Sequence, residues 1–260
     1  MVSDHYTRVP DLAEVILAAY GDDEIGIDDL APVEEFHLGG AAATAALVAD
    51  LELGTDDRVL DIGCGIGGPA RRMAALSGCT VTGVDLTESF IEAARALSAR
   101  VGSGDRVSFE VGDATALDRG RTFTAATLVH VGMNIADKAG LFAAVASLLE
   151  PGGRFAIYDI MRIGDGDIAL PLPFASEPEQ SFVEGPDAYV AALDAAGFTC
   201  DEPVNRTAMA LQAAAAAGEQ GPPPASLLTV MGPDFATMFT NLGAAIRGGV
   251  LAPVQIIARR

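Results

Sequence analysis

Tryptophan is absent from this 260-residue chain, and lysine occurs once, at Lys138. The chain has 16 Lys and Arg residues and 36 Asp and Glu residues, so its net charge is −20. It contains no run of basic residues that could bind nucleic acid or an anionic membrane.

Cys64, Cys79 and Cys200 form no CxxC pair, so we expect neither a disulfide framework nor a metal site. No uncharged apolar run approaches the roughly 18 residues of a membrane helix, and no signal-peptide pattern is present. We therefore expect a cytoplasmic protein with small-molecule partners and no membrane insertion.

Short β-branched runs alternate with amphipathic helical stretches from residue 56 onward. The predicted strands span residues 58–62, 80–85, 106–111, 124–130, 153–160, 198–203 and 254–260. The predicted helices between them span residues 69–77, 88–101, 138–149 and 186–197. Such alternation is typical of an α/β fold with right-handed crossovers, in which helices cover both faces of a mostly parallel sheet.

Two further parts of the chain lie outside this alternation. Residues 1–50 precede the first strand and are predicted to be helical, whereas residues about 161–185 and 206–250 are insertions in the main domain, 51–260. Ligands of open α/β sheets bind at the carboxyl ends of the strands, so the insertions are a candidate cap over the ligand crevice. A surface helix with its linker is the alternative for the Ala- and Pro-rich insertion.

A glycine-rich turn follows the first predicted strand, where residues 59–68 read VLDIGCGIGG. Glycine lets a ligand lie directly against the backbone. Gly63, Gly65 and Gly68 also satisfy the dinucleotide pattern G-x-G-x-x-G, so the glycines alone leave an NAD enzyme open. Asp61 favours another ligand, because a carboxylate beside the turn repels a pyrophosphate and attracts an ammonium group. S-adenosylmethionine (SAM) carries an ammonium and a sulfonium and has no phosphate.

Two more acidic residues follow the next two predicted strands. Asp85 ends TVTGVD, where a carboxylate can accept both ribose hydroxyls of SAM or of NAD. Asp113 follows RVSFEV, where it could accept the adenine amino group. A helix N-cap is the alternative for each of them. Three such acids in succession favour one shared cofactor site.

The segments VLDIGCGIGGPAR, GVDL, VGDA, HVGMNI and LEPGGRFAIYD, in this order, resemble a class I SAM-dependent methyltransferase. The resemblance covers roughly residues 35–160. It implies a Rossmann-like sheet of seven strands in which the last strand is antiparallel. It also implies S-adenosyl-L-methionine as cofactor and a cofactor site that comprises His37, Asp61, Gly63, Cys64, Gly65, Asp85, Leu86, Asp113, Ala114 and His130. By the same resemblance we expect residues 1–50 to form a helical lid over that site, because EFHLGG (35–40) is similar to the segment that related enzymes lay over the methionine part of SAM.

Within that family the chain is similar to two groups that methylate small molecules. One group contains the ubiquinone/menaquinone and tocopherol C-methyltransferases, and the other contains N-methyltransferases of sarcosine, dimethylglycine and phosphoethanolamine. The resemblance makes His130 a candidate base, acceptor clamp or cofactor contact, with a satisfied strand-end histidine as the alternative. Tyr6 resembles a tyrosine that latches to this histidine in the phosphoethanolamine enzymes, with a frayed terminus as the alternative.

Met133, Tyr158, Phe174 and Phe182 are the residues expected to bind the methyl acceptor, although core packing is the alternative for the two phenylalanines. The absence of tryptophan argues against an aromatic cage for a quaternary ammonium, and the lack of a basic cluster disfavours phosphoethanolamine. The leading expectation is an amine nitrogen, as in sarcosine or dimethylglycine. The alternatives are C- or O-methylation of a quinol or phenol, an NAD-dependent oxidoreductase, and a non-catalytic SAM-binding module; a homodimer stays open.

Overall fold

A computed structural model describes residues 11–118, 120–219, 223–232 and 234–260, so the predicted site residue Tyr6 lies outside the described residues. The helices are α1 (Leu12–Ala18), α2 (Ile27–Glu34), α3 (Gly40–Asp50), α4 (Gly68–Ser77), α5 (Glu88–Arg100), α6 (Lys138–Leu148), α7 (Pro186–Ala195), α8 (Thr207–Glu219), α9 (Leu227–Met231) and α10 (Phe235–Arg247). The strands are β1 (Arg58–Ile62), β2 (Thr80–Asp85), β3 (Val107–Val111), β4 (Phe123–Val129), β5 (Leu149–Arg162), β6 (Thr199–Cys200), β7 (Val204–Asn205) and β8 (Leu251–Arg259). Among the described residues, no helix has both the length and the apolar character needed to cross a membrane.

The strands form one sheet in the order β3-β2-β1-β4-β5-β8-β6, with β7 also paired to β8. The first five strands are parallel, and β8 pairs antiparallel with β5 along its length. The predicted fold class is therefore confirmed. The chain winds outward in both directions from the β1–β4 pair, so a crevice opens at the carboxyl ends of these two strands.

The sheet has eight strands where the sequence predicts seven, because the predicted strand 198–203 is interrupted. β6 pairs with the end of β8 at Ala258, and β7 pairs with the same side of β8 at Val254. Between these short strands the Asp201 amide still donates to the Ile257 carbonyl at 2.8 Å. Pro203, which has no amide hydrogen, cannot continue this ladder.

Apolar side chains of the central strands are buried on both faces of the sheet. Leu60 belongs to a cluster with Phe142 of α6 and Phe155 of β5, whereas the neighbouring Val59 packs on the other face with Met73 of α4 and Ile91 of α5. Successive residues of a strand point to opposite faces, so a strand that is covered on both sides is apolar at consecutive positions. This burial makes the strand ends a rigid base for the loops that follow them.

Buried ion pairs join the N-terminal helices to the helix that follows the glycine turn. The Arg71 guanidinium is fully buried and donates to the Glu34 carboxylate, to the Ile66 carbonyl at 2.7 Å and to Ser98 Oγ at 2.9 Å. Burial still raises the Glu34 pKa to about 7, although Arg71 opposes this shift. The pair therefore fixes α2 beside the glycine turn at a considerable desolvation cost.

We expect Arg71→Met to lower the free energy of unfolding by about 3–5 kcal/mol, because it leaves the Glu34 carboxyl buried without a cation. The double variant Arg71→Met/Glu34→Met should recover most of that loss, since both polar groups are then gone. Urea unfolding of both variants, with Arg247→Met at an exposed position as control, measures the difference. A single variant as stable as the parent would contradict a structural role for this pair.

Candidate active site

A cavity of about 810 Å³ lies at the carboxyl ends of β1, β2, β3 and β4. Its volume is within the range of ligand sites in proteins, roughly 300–1,000 Å³. The predicted cofactor residues that line it are His37, Gly63, Cys64, Gly65, Asp85, Leu86, Asp113, Ala114 and His130. The structure thus brings together residues that are spread over about a hundred positions of the sequence.

The glycine turn brings bare backbone to the cavity wall. Gly63 has φ +68°, and a Cβ atom there would lie 2.4 Å from Val131 Cγ2, so a larger residue would clash with the loop after β4. The turn is held by the adjacent strand, because the Gly63 amide donates to the Val84 carbonyl at 2.8 Å. Cys64 packs into the core cluster below, with its thiol pKa raised by burial, as expected for a packing residue.

The Asp61 side chain lies behind the turn and does not line the cavity. Thr127 Oγ1 donates to its Oδ1 at 2.7 Å, whereas its Oδ2 is buried without a hydrogen-bond partner among the described residues. Burial, opposed by the Thr127 hydrogen bond and helped by the nearby acids Glu35 and Asp85, raises its pKa to about 7. Asp61 is therefore a buried carboxyl without a cation partner in the described chain, and a ligand with positive charge would favour its ionised form.

Asp85 and Asp113 both face the cavity and both fix the loops that carry them. Asp85 accepts from the Gly65 amide at 3.0 Å and from the Thr87 amide at 2.8 Å, and burial raises its pKa. Asp113 caps a short 3₁₀ turn by accepting from the Thr115 amide at 2.8 Å. Asp113 is thus an N-cap residue, as the alternative interpretation predicted, and its carboxylate also lies in the cavity wall.

His130 has an unusual backbone conformation, with φ +54°. A residue other than glycine adopts this region rarely and at a cost of about 1–3 kcal/mol, and such residues cluster at functional sites. Its ring lies 5.3 Å from the Tyr158 ring and 5.8 Å from the His37 ring, centroid to centroid. Its Nε2 atom is buried and has no hydrogen-bond partner among the described residues. Burial, helped by His37, holds the pKa of His130 well below 6.5, so the imidazole is neutral at pH 7.

His37 is connected to the helix after the glycine turn. Its Nε2 lies 3.1 Å from the Gly40 carbonyl and 3.2 Å from Thr44 Oγ1, and Thr44 in turn donates to Glu35 at 2.9 Å. The Glu35 carboxylate accepts from Arg72 Nε at 2.7 Å. The sequence analysis missed this chain of bonds, since nothing in the local pattern at residues 34–37 pairs them with arginines 37 positions later.

Of the four expected acceptor residues, Met133 and Phe174 line the cavity and Tyr158 and Phe182 do not. The Tyr158 hydroxyl donates to the Leu38 carbonyl at 2.8 Å, behind the two histidines. Phe182 acts through its backbone, because its amide donates to the Met133 carbonyl at 2.8 Å. These two aromatic residues therefore support the cavity wall from behind.

One part of the cavity wall is an apolar cluster in which Leu38, Ile160 and Leu242 pack with Met133 and Phe174. Further apolar residues of the wall that were not predicted from the sequence are Pro173, Leu227, Met231 and Phe239. The predicted insertion 206–250 thus contributes to the wall through Leu227, Met231, Phe239 and Leu242. No lysine or arginine is among the described residues that line the cavity.

The known proteins that are similar to this chain in sequence or in fold include several methyltransferases. Residues 59–153 match the model of a methyltransferase domain. Methyltransferase GfsG of Streptomyces halstedii is 30% identical over 210 residues, which cover 76% of this chain and 72% of that relative. A sterol 24-C-methyltransferase of Eremothecium gossypii is 32% identical over 127 residues, 48% of this chain, and the match spans only 34% of that longer relative. The solved structure of geranyl diphosphate methyltransferase in complex with SAM has a TM-score of 0.64 and 21% identity, and covers 85% of each chain.

We expect Asp61→Asn to stabilise the ligand-free protein at pH 8. The Asp61 pKa is raised to about 7 from 3.8, so the wild-type protein loses stability as pH rises between these values, and the loss is complete above about 7. The neutral amide should therefore raise the free energy of unfolding by about 1–3 kcal/mol at pH 8 and change it little at pH 4. Urea unfolding at both pH values tests this, with Asp105→Asn at an exposed position as control. Destabilisation at pH 8 would contradict an uncompensated buried carboxylate.

Proposed function

Because the chain belongs to the class I SAM-dependent methyltransferases, we propose that it methylates a hydroxyl oxygen of an uncharged, largely apolar small molecule. Family membership decides between the methyl donor and the nicotinamide cofactor that the glycine pattern left open. The observation that carries the acceptor class is the composition of the cavity: apolar in one part of its wall, without lysine or arginine among its described lining residues, and with an unpartnered histidine nitrogen.

The residues of the cavity fit SAM. Behind the cavity wall, Asp61 Oδ2 is buried with no hydrogen-bond partner among the described residues, and this carboxyl together with the nearby acids suits a ligand that brings positive charge. Bound SAM supplies an electrophilic methyl group on a sulfonium. In this proposal the backbone of Gly63 and Gly65 would lie against the cofactor, Asp85 would accept from its ribose hydroxyls, and Asp113 and Ala114 would contact its adenine. The described part of the predicted lid, residues 11–50, would cover the site.

His130 is proposed to accept the proton of the acceptor hydroxyl. Its imidazole is neutral because burial lowers its pKa, and its buried Nε2 has no partner among the described residues. A hydroxyl oxygen that gains a methyl group becomes strongly acidic, so a weak base in the right position is sufficient. The protein otherwise contributes to methyl transfer by aligning the acceptor, and its apolar wall excludes water from the site.

The amine acceptors expected from the sequence have weaker support. Sarcosine and dimethylglycine carry a carboxylate and phosphoethanolamine carries a phosphate, and burying either anion without a cation is costly. Met133, Phe174 and Leu242 offer an apolar surface, and the name of one relative gives a sterol as its methyl acceptor. An uncharged ring system or chain with one hydroxyl matches that surface better than a zwitterion does.

The acceptor class is tested with a panel incubated with SAM, in which formation of S-adenosylhomocysteine is measured by mass spectrometry. The panel pairs apolar alcohols and phenols with amines of the same carbon skeleton, and adds dimethylglycine. We expect turnover of the hydroxyl members, with kcat nearly constant between pH 6 and 8 because His130 stays neutral there. Turnover of dimethylglycine, or of the amines alone with a rate that rises towards the amine pKa, would contradict the proposal.

We expect His130→Asn to lower kcat on a hydroxyl acceptor by about 10²–10⁴-fold, because the proton acceptor is lost. The affinity for S-adenosylhomocysteine, measured by calorimetry, should change by less than about threefold. Cys200→Ser is the control, since Cys200 lies in the sheet edge and outside the cavity. An unchanged kcat in the His130 variant would remove this residue from the proton transfer.

A further inference from the structure

Lys138 is the chain's only lysine, and its side chain is 3% exposed. Its ammonium group donates to the Ile135 carbonyl at 3.0 Å and to the Phe182 carbonyl at 2.7 Å, and it lies 3.2 Å from Glu184 Oε2. It also lies 5.2 Å from the centre of the Tyr189 ring. An ammonium group has three hydrogens, and here three oxygen atoms surround it, one from the loop after β4 and two from residues 182–184.

One of these partners, Ile135, lines the cavity, and another, Phe182, lies directly behind its wall. Ile135 lines the cavity in the loop after β4, and Phe182 ends the segment 171–182, which we call the acceptor strap. The Phe182 amide donates to the Met133 carbonyl at 2.8 Å, so both the backbone N–H and the backbone C=O of Phe182 are hydrogen-bonded. Lys138 thus bonds the last residue of the strap to the loop that carries Met133.

The same loop is held from below by a buried polar group. Asp159 of β5 accepts from the Tyr189 hydroxyl at 2.7 Å and from the Met133 amide. Gly132 allows this approach, because a Cβ atom there would lie 2.4 Å from Asp159 Oδ2. The loop therefore has a fixed lower face, and the lysine determines how the strap is seated above it.

We propose that Lys138 is a positioning residue that seats the acceptor strap and thereby sets the affinity for the methyl acceptor. This rests on the proposed function, in which the acceptor lies between Met133 and Phe174. The strap carries Phe174 into the cavity wall, and Asn134 from the opposite loop donates to the Phe174 carbonyl at 2.6 Å. Displacing the strap by even about 1 Å can reduce the rate of a positioned reaction by about a hundredfold.

A neutral and a charged replacement of Lys138 are expected to have different effects on the strap. A methionine would fill the same space but would leave the carbonyls of Ile135 and Phe182 without their donor, at a desolvation cost for each. An arginine keeps the charge and can still donate to both carbonyls. Lys138→Met and Lys138→Arg therefore separate loss of the bonds from a mere change of side chain.

Hydrogen–deuterium exchange tests the seating without any acceptor. In Lys138→Met the Phe182 amide should exchange at least about tenfold faster than in the parent, while peptides that cover β1 and the glycine turn are unchanged. Lys138→Arg should restore most of the protection. Arg95→Met is the matched control, because Arg95 also donates to a backbone carbonyl, that of Phe109, away from the strap. Unchanged protection of Phe182 in Lys138→Met would overturn the proposal.

Steady-state kinetics with the most active panel acceptor tests the consequence. We expect Lys138→Met to raise the acceptor KM by about tenfold or more, to leave the SAM KM within about twofold, and to be rescued in part by Lys138→Arg. Equal changes in both KM values would reduce Lys138 to a general structural role and overturn the proposal. If no panel member reacts with the parent protein, the proposed function fails by itself, and the exchange experiment still decides whether Lys138 seats the strap.

Discussion

A buried carboxyl group without a cation partner in the described chain is the constraint on which this structure depends. Asp61 is the second-last residue of β1, accepts one bond from Thr127 and lies near two further acids, Glu35 and Asp85. Burial of several acidic groups at one place destabilises a folded chain unless something with positive charge joins them. The strand ends therefore concentrate negative potential behind a turn made of glycine backbone, and this combination suits a cationic methyl donor better than a diphosphate.

The rest of the fold keeps this unfavourable arrangement in place. Central strands that are buried on both faces give the loops a rigid base. The Arg71–Glu34 and Arg72–Glu35 pairs tie the N-terminal helices to the helix after the glycine turn. His130 has a strained backbone conformation, with φ +54°, and lies beside His37 in the cavity wall. The packed sheet thus stabilises the fold, and the groups that destabilise it, the buried acids and the strained His130, lie at the carboxyl ends of its strands.

Features that are local in sequence could be predicted, whereas features made by distant residues could not. The glycine turn, Asp85 and Asp113 follow strands whose apolar runs are plain in the sequence, and the structure brings them to one cavity. Tyr158 and Phe182 were expected in the acceptor pocket, but strand alternation and a backbone bond place them behind it. The arginine–glutamate pairs join residues 37 apart, and no periodic signal connects them. The apolar acceptor wall also required the structure, because Phe239 and Leu242 come from a segment whose Ala-rich pattern is equally typical of a surface helix.

The central claim is that the turn after β1 accepts a ligand with an ammonium group and rejects one with a diphosphate. Calorimetric titration of the purified chain with S-adenosylhomocysteine and, separately, with NADH tests it most directly. The account predicts saturable binding of S-adenosylhomocysteine and no heat of binding with NADH under the same conditions. Binding of NADH that S-adenosylhomocysteine displaces, or no binding of S-adenosylhomocysteine at all, would contradict it.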